Sequence, residues 1–255
     1  MKADAFLFDL EGTLYVGDRA VPGAAEVVAA LRRGGTPLRL VSNTTSRPRA
    51  MLVDRLAALG IAVTPEEVWT APLAAARLAR ERGCRRVLAL LPRPAWEDLE
   101  DLETTGNDPV DAVIVGDLGR AWSYDVLQGA FAALQDGAAL IACSRDRYYR
   151  RDGALVLDAG PFVAALEYAT RTEALVAGKP SATFFRAAVQ SLGLDAAARV
   201  VMVGDDLWSD VQGAQAAGLV AWAVATGKFR HEDLATSGVV PDRILTSIAE
   251  VMEHS

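Results

Sequence analysis

Two apolar segments of the chain end in acids. Ala5-Phe6-Leu7-Phe8 runs into Asp9-Leu10-Glu11-Gly12-Thr13-Leu14, and far downstream Val200-Val201-Met202-Val203 runs into Gly204-Asp205-Asp206-Leu207-Trp208-Ser209-Asp210. Each reads as a buried strand delivering carboxylates to a glycine-bearing turn. In an open parallel sheet the carboxyl ends of the strands border one crevice, so two such segments can build one acidic pocket. Carboxylates gathered in this way repel one another unless water or a cation lies between them. An all-oxygen donor set suits a hard cation, Mg²⁺ foremost. Beside such a cation a carboxylate can attack phosphorus and form an aspartyl-phosphate.

Two further places offer complementary chemistry. Ser42-Asn43-Thr44 follows the apolar Leu38–Val41 and precedes Pro48. Its hydroxyls, amide and backbone N–H groups can bind phosphate oxygens, and the same residues make good turn and N-cap chemistry. Lys179 stands alone between Gly178 and Pro180, after apolar Ala174–Ala177. A phosphoryl-transfer site needs a fixed cation of this kind, because nucleophile and substrate are both anionic. Asp205, Asp206 and Asp210 also have a plain reading as acids at a helix N-terminus, favoured by the helix dipole. The segment lacks the glycine and terminal Glu of an EF-hand. The histidines are His231 and His254 alone, which argues against His-dependent triads and His-rich metal sites.

The elements that must carry these residues alternate between strand and helix, which predicts an α/β fold with a mainly parallel sheet. Strand 4–9, a helix from Pro22-Gly23 to about Leu31, strand 38–41 and a helix from Pro48 to Leu59 form a first βαβα module. Helix 74–82, strands 86–91, 112–115 and 139–142, helices 124–134 and 162–169, and a hairpin turning at Asp152-Gly153 form a middle unit. The first style resumes after Gly178-Lys179-Pro180 with helix 183–192, strand 199–203, helix 210–217 and strand 220–224. The reading is therefore a core of 1–73 plus 178–255 interrupted by an inserted domain of 74–177.

Composition sets the outer limits. With 255 residues and 51% hydrophobic content the chain can bury a substantial core. A net charge of −7 argues against nucleic-acid or anionic-membrane partners, and no apolar run reaches spanning length. The basic stretch Arg77–Arg86 is broken by Glu81 and reads as a solvated helix face. Two unrelated cysteines, Cys84 and Cys143, and an N-terminus without a leader pattern point to a cytoplasmic protein.

Taken in order, Asp9, Ser42, Lys179 and Gly204-Asp205-Asp206 with Asp210 resemble the four motifs of the haloacid dehalogenase superfamily. The insert between the second and third motifs resembles the C2-type cap of subfamily IIA. Arg147-Tyr148-Tyr149, Gly160–Ala169 and Thr226-Gly227-Lys228-Phe229 resemble two groups within it: the phospholysine phosphohistidine inorganic pyrophosphate phosphatases and the haloacid dehalogenase-like hydrolase domain-containing proteins. The resemblance implies a parallel-sheet, Rossmann-like core with a smaller α/β cap, and Mg²⁺-dependent hydrolysis of a small phosphorylated metabolite, a phosphoamino acid or pyrophosphate. It implies Asp9 as nucleophile and metal ligand, and the Glu11 backbone carbonyl and Asp205 as further ligands. Asp206 and Asp210 would act from around the ion, and Ser42, Asn43, Thr44 and Lys179 would hold the phosphoryl group. Most of the superfamily's phosphatases carry Asp where this chain has Glu11, the expected acid–base. One extra methylene shifts that carboxylate by about an ångström, a displacement that can cost roughly 10²-fold in rate. The rival reading is a weakened phosphate-binding or interaction protein on the same fold. The run Arg145, Arg147, Tyr148, Tyr149, Arg150, Arg151 is the candidate for substrate contact or for a homodimer interface. The start of the helix at Gly160-Pro161 is a second place from which N–H groups could face substrate.

Overall fold

A computed structural model of the chain describes residues 3–99, 101–105, 109–151, 153–195 and 197–254. The chain divides into two compact units. The first comprises Met1–Ser42, Arg49–Trp69 and Lys179–Ser255, and the second Asn43–Pro48 and Thr70–Gly178.

In chain order the elements are β1 (Ala5–Asp9), the hairpin β2 (Tyr15–Val16) and β3 (Arg19–Ala20), α1 (Ala24–Arg33), β4 (Leu38–Ser42), α2 (Arg49–Ala58) and β5 (Val68–Thr70). Next come α3 (Ala71–Glu81), β6 (Arg86–Leu90), β7 (Glu103–Thr104), β8 (Ala112–Val115), α4 (Tyr124–Gln135), β9 (Ala139–Ala142), β10 (Tyr148–Arg151), β11 (Ala154–Leu157), α5 (Gly160–Thr170) and β12 (Leu175–Val176). The chain then returns through α6 (Ala182–Gln190), β13 (Val200–Gly204), α7 (Gly213–Ala216), β14 (Val220–Val224), α8 (His231–Ser237), β15 (Arg243–Leu245) and α9 (Val251–His254).

The first unit is built on a six-stranded sheet ordered β15-β14-β13-β1-β4-β5. β1 lies in its middle, parallel to β13 and β4, with Phe8 opposite Val203 and Asp9 opposite Val41. All five residues of β1 are buried, as a strand covered on both faces must be. Phe6 and Phe8 point to one face and stack at 5.6 Å, joining a core with Leu40, Val201, Val203 and the Val27-Val28-Leu31 stripe of α1. Leu7, Val41 and Met202 alternate to the other face and are equally buried. Each such side chain contributes about 1.5–3 kcal/mol through its burial. Burial on both faces thus holds β1 in place, and Asp9 inherits that rigidity.

The second unit has its own five-stranded sheet, ordered β12-β9-β8-β6-β7, and the antiparallel hairpin β10–β11. Val113, Val115, Leu140 and Ala142 pack with Leu134, Val163 and Leu166 from α4 and α5. At the expected hairpin turn, Asp152 lies outside the described residues.

The α/β class is as the alternation predicted, and several boundaries are corrected. The helix expected from Ala74 begins at Ala71, because the Thr70 hydroxyl caps it by accepting the Leu73 N–H at 3.3 Å. The helix expected over 210–217 begins as a π-helical turn at Leu207–Gln212 and continues as α7. No helix among the described residues is long and apolar enough to cross a membrane.

Candidate active site

Parallel register determines what meets at the sheet's carboxyl edge. Asp9 ends β1 beside the ends of β4 at Ser42 and β13 at Gly204. Lys179, just ahead of α6, reaches into this edge. Its Nζ donates to Asp9 Oδ1 at 2.5 Å and to Asp210 Oδ1 at 2.7 Å. Asp9, Lys179, Asp205 and Asp210 are all buried. One carboxylate oxygen from each of Asp9, Asp205 and Asp210 lies within 4.8 Å of the others.

Three acids around one ammonium leave a surplus of negative charge out of water. Burial, with the charge of Asp9, pushes the Asp205 carboxyl up to about 7. Burial and the charges of Asp9, Asp205 and Asp206 push Asp210 up to about 8, against the pull of Lys179. Burial alone would lower the pKa of Lys179, but Asp210 and Asp9 overcome it and hold the ammonium charged. A hard divalent cation is the partner that would relieve this crowding, and the all-oxygen donors suit Mg²⁺. The buried Thr13 hydroxyl finds no hydrogen-bond partner among the described residues.

Glycines make room for the acids. Gly12 and Gly227 have φ of 94° and 61°, and a Cβ on either would run into the Asp205 carboxylate. The Thr226 hydroxyl donates to the Gly12 carbonyl at 2.5 Å, and the Lys228 N–H donates to Asp205 Oδ2 at 2.6 Å. Sequence reasoning left the 226–228 segment out of the site. The signal was present: Thr226–Lys228 follows β14, whose carboxyl end lies on the same edge.

The remaining expected residues have different surroundings. Asp206 Oδ1 accepts the N–H groups of Trp208 and Ser209 at 3.0 and 2.9 Å, capping the π-helical turn, while its other oxygen faces Lys228 Nζ at 3.5 Å. Burial pushes this carboxyl upward, yet the donated N–H bonds and the Lys228 charge outweigh it and hold it below the usual range. Glu11 is exposed, and its Oε1 accepts the Gly17 N–H at 2.9 Å, which ties it to the β2–β3 hairpin. Ser42 is buried at the end of β4. Asn43 and Thr44 fall in the second unit, where the Thr44 hydroxyl lies 3.5 Å from that of Ser46.

In the second unit Arg145 pairs with Glu167 at 2.6 Å, and the Tyr149 hydroxyl donates to Asp117 at 3.0 Å. At the alternative place for substrate-facing N–H groups, the Gly160 N–H donates to the Asp146 carbonyl at 3.0 Å.

Comparison with known proteins decides the family. Residues 6–105 match the family model described as haloacid dehalogenase-like hydrolase, and residues 176–251 match a second described as HAD-hydrolase-like. Over 98% of its length the chain is 40% identical to human haloacid dehalogenase-like hydrolase domain-containing protein 2, of which 95% is covered. The chain belongs to the haloacid dehalogenase-like hydrolase family. Within the family it is 36% identical to the human phospholysine phosphohistidine inorganic pyrophosphate phosphatase, over 97% of this chain and 92% of that one. A solved structure of a glycerol phosphate phosphatase from Mycobacterium tuberculosis in complex with magnesium is similar at a TM-score of 0.85 and 29% identity, covering 96% of this chain and 75% of that one. These relatives confirm the α/β fold of the family for this chain.

Proposed function

We propose that this phosphatase of the haloacid dehalogenase-like family is Mg²⁺-dependent and uses Asp9 as its nucleophile. Its substrate would be a small phosphorylated metabolite, a phosphoamino acid or pyrophosphate. One observation carries the reading: the buried Lys179 bridge between Asp9 and Asp210, in a pocket where carboxylates still outnumber cations. Two named phosphatases among its relatives support the reaction class, and the magnesium complex of one supports the metal.

Asp9, Asp205 and the Glu11 backbone carbonyl would hold Mg²⁺, with Asp210 and Asp206 around it, and the bound ion would supply the positive charge that lets a carboxylate meet an anionic phosphoryl group. The chain's own residues do the rest. The Asp9 carboxylate attacks phosphorus and becomes an aspartyl-phosphate as the leaving group departs. The Lys179 ammonium offsets the repulsion between nucleophile and phosphoryl oxygens, at a fixed position that needs no reorganisation. The Ser42 hydroxyl is a donor for a phosphoryl oxygen, and Asn43 and Thr44 continue the polar run in sequence. Glu11 protonates the leaving group, then takes a proton from the water that cleaves the aspartyl-phosphate and returns Asp9.

Glu11 in place of the usual Asp favours a second reading, a phosphate binder of weak turnover, because the longer side chain carries its carboxylate about an ångström from the usual acid–base position. Hydrolysis of p-nitrophenyl phosphate, and of a panel of phosphorylated metabolites, phosphoamino acids and pyrophosphate, separates the two. Turnover in Mg²⁺ that EDTA stops and added Mg²⁺ restores is expected. Equal rates with and without EDTA would remove the metal from the mechanism. Binding of phosphate without turnover on any substrate would favour the second reading.

A further inference from the structure

We propose that Arg55 is a positioning residue for Glu11, acting through the tip of the β2–β3 hairpin. The inference rests on the acid–base role given to Glu11 above. Both polar backbone groups of Gly17, at the hairpin tip, are taken. Its N–H goes to Glu11 Oε1 at 2.9 Å, and its carbonyl accepts from Arg55 Nη2 at 2.6 Å. The same guanidinium lies 4.8 Å from the centre of the Tyr15 ring and 3.4 Å from Asp18 Oδ1. One side chain from α2 therefore grips the hairpin at residues 15, 17 and 18.

The grip has a physical purpose. The hairpin pairs only Tyr15 with Ala20 and Val16 with Arg19, and a ribbon so short does not hold itself. Glu has one more rotatable bond than Asp, so its carboxylate has more freedom to lose before it can act. A fixed N–H removes that freedom only if the peptide carrying it is itself fixed. Asp18 is almost wholly exposed, so its ion pair adds little. The Gly17 carbonyl bond and the packing on Tyr15, itself buried, are what immobilise the tip. The chain of contacts runs from α2 through Gly17 to a carboxylate two residues beyond Asp9.

The test combines exchange with kinetics on the full chain. Arg55→Met keeps the stem against Tyr15 and removes the donor, and Arg55→Lys restores a cation without the fork. Hydrogen exchange of the Gly17 amide is followed by NMR, and kcat and KM for p-nitrophenyl phosphate are measured with Mg²⁺. Arg55→Met should speed Gly17 exchange and lower kcat roughly 10-fold to 100-fold, the scale of a small misplacement, with KM within about twofold. Arg55→Lys should recover part of both. In a Glu11→Gln background, Arg55→Met should change kcat by less than about twofold, because the two act as one unit. Unchanged Gly17 exchange in Arg55→Met overturns the clamp whatever the activity. An equal loss of kcat in both backgrounds overturns the link to Glu11 and leaves the proposed function standing. A wild-type rate in Glu11→Gln overturns the acid–base role instead, while exchange still judges the clamp. Should Arg55→Met fail to fold, Arg55→Lys carries the same measurements.

Discussion

The two units use one architectural device with opposite electrostatic outcomes. Each has a parallel sheet whose carboxyl edge carries a buried acid. At the end of β8 that acid is Asp117, and neutral donors answer it: the Tyr149 hydroxyl at 3.0 Å and the Gly119 N–H at 2.7 Å. At the ends of β1 and β13 the acids are Asp9 and Asp205, joined by Asp210, with the Lys179 ammonium between two of them. The first arrangement is complete within the protein. The second is left in surplus and calls for a cation from outside. A parallel sheet provides the crevice, and the excess of charge makes it a place for chemistry.

The comparison breaks most sharply at Asp9, the proposed nucleophile. Asp9→Asn keeps the volume and removes the attacking charge, so kcat should fall by about 10⁴-fold or more and no phosphoenzyme should be trapped. A labelled phosphoenzyme on that variant would move the nucleophile elsewhere. Glu11→Gln should slow turnover by roughly 10²–10⁴-fold, the range for losing an acid–base, whereas Glu11→Asp should hold or raise the rate. Steady-state kcat on both variants decides whether Glu11 gives more than its backbone.

Stability measurements sharpen the contrast between surplus and balance. Lys179→Met leaves buried acids uncompensated. It should cost about 3–5 kcal/mol of unfolding free energy and about 2–4 kcal/mol of transition-state stabilisation. Tyr149→Phe removes one donor from the Asp117 carboxyl and should cost less, about 1.5–3 kcal/mol. Urea unfolding of the two variants tests the ranking, and equal losses would erase the distinction between the edges.

A pH dependence comes last, its sign following from the raised carboxyls. Asp205 and Asp210 move from 3.8 to about 7 and about 8 in the folded protein. The metal-free fold therefore keeps protons that the unfolded chain releases above about pH 4. Stability from this source is complete below that pH and is lost as pH rises through 7 and 8. Mg²⁺ competes with those protons, so its stabilising effect should be larger at pH 8 than at pH 5. Calorimetric melting with and without Mg²⁺ reads this directly. Asp205→Asn should flatten the difference, and a Mg²⁺ shift independent of pH would contradict the surplus.

Much of this was legible in the sequence, for identifiable reasons. Phe6–Phe8 and Val200–Val203 announce themselves because central parallel strands are apolar without alternation, and the acids follow at once. β5 and β15 did not, because they are three-residue edge strands in which neighbours supply the pairing. The two-residue strands of the β2–β3 hairpin carry no period at all. The helix at Ala71 was placed late because its cap, Thr70, is the last residue of β5 and gives no loop signal. Asp206 shows the limit for the site. Its sequence reads equally as a helix cap or as an acid beside a metal, and only the bonds to Trp208 and Ser209 reveal the cap.

The pairing of Ala5 with Val200 also sets an order of events during synthesis. β1 leaves the ribosome first, yet its partner β13 is nearly two hundred residues away. At ~5–20 residues per second that interval is roughly 10–40 s. Throughout it one edge of a strand that is apolar up to Asp9 has no native neighbour, the kind of edge other chains can join. The second sheet lies within one uninterrupted stretch and has all its strands before β13 is made. The strand that carries Asp9 is thus among the first made and among the last completed.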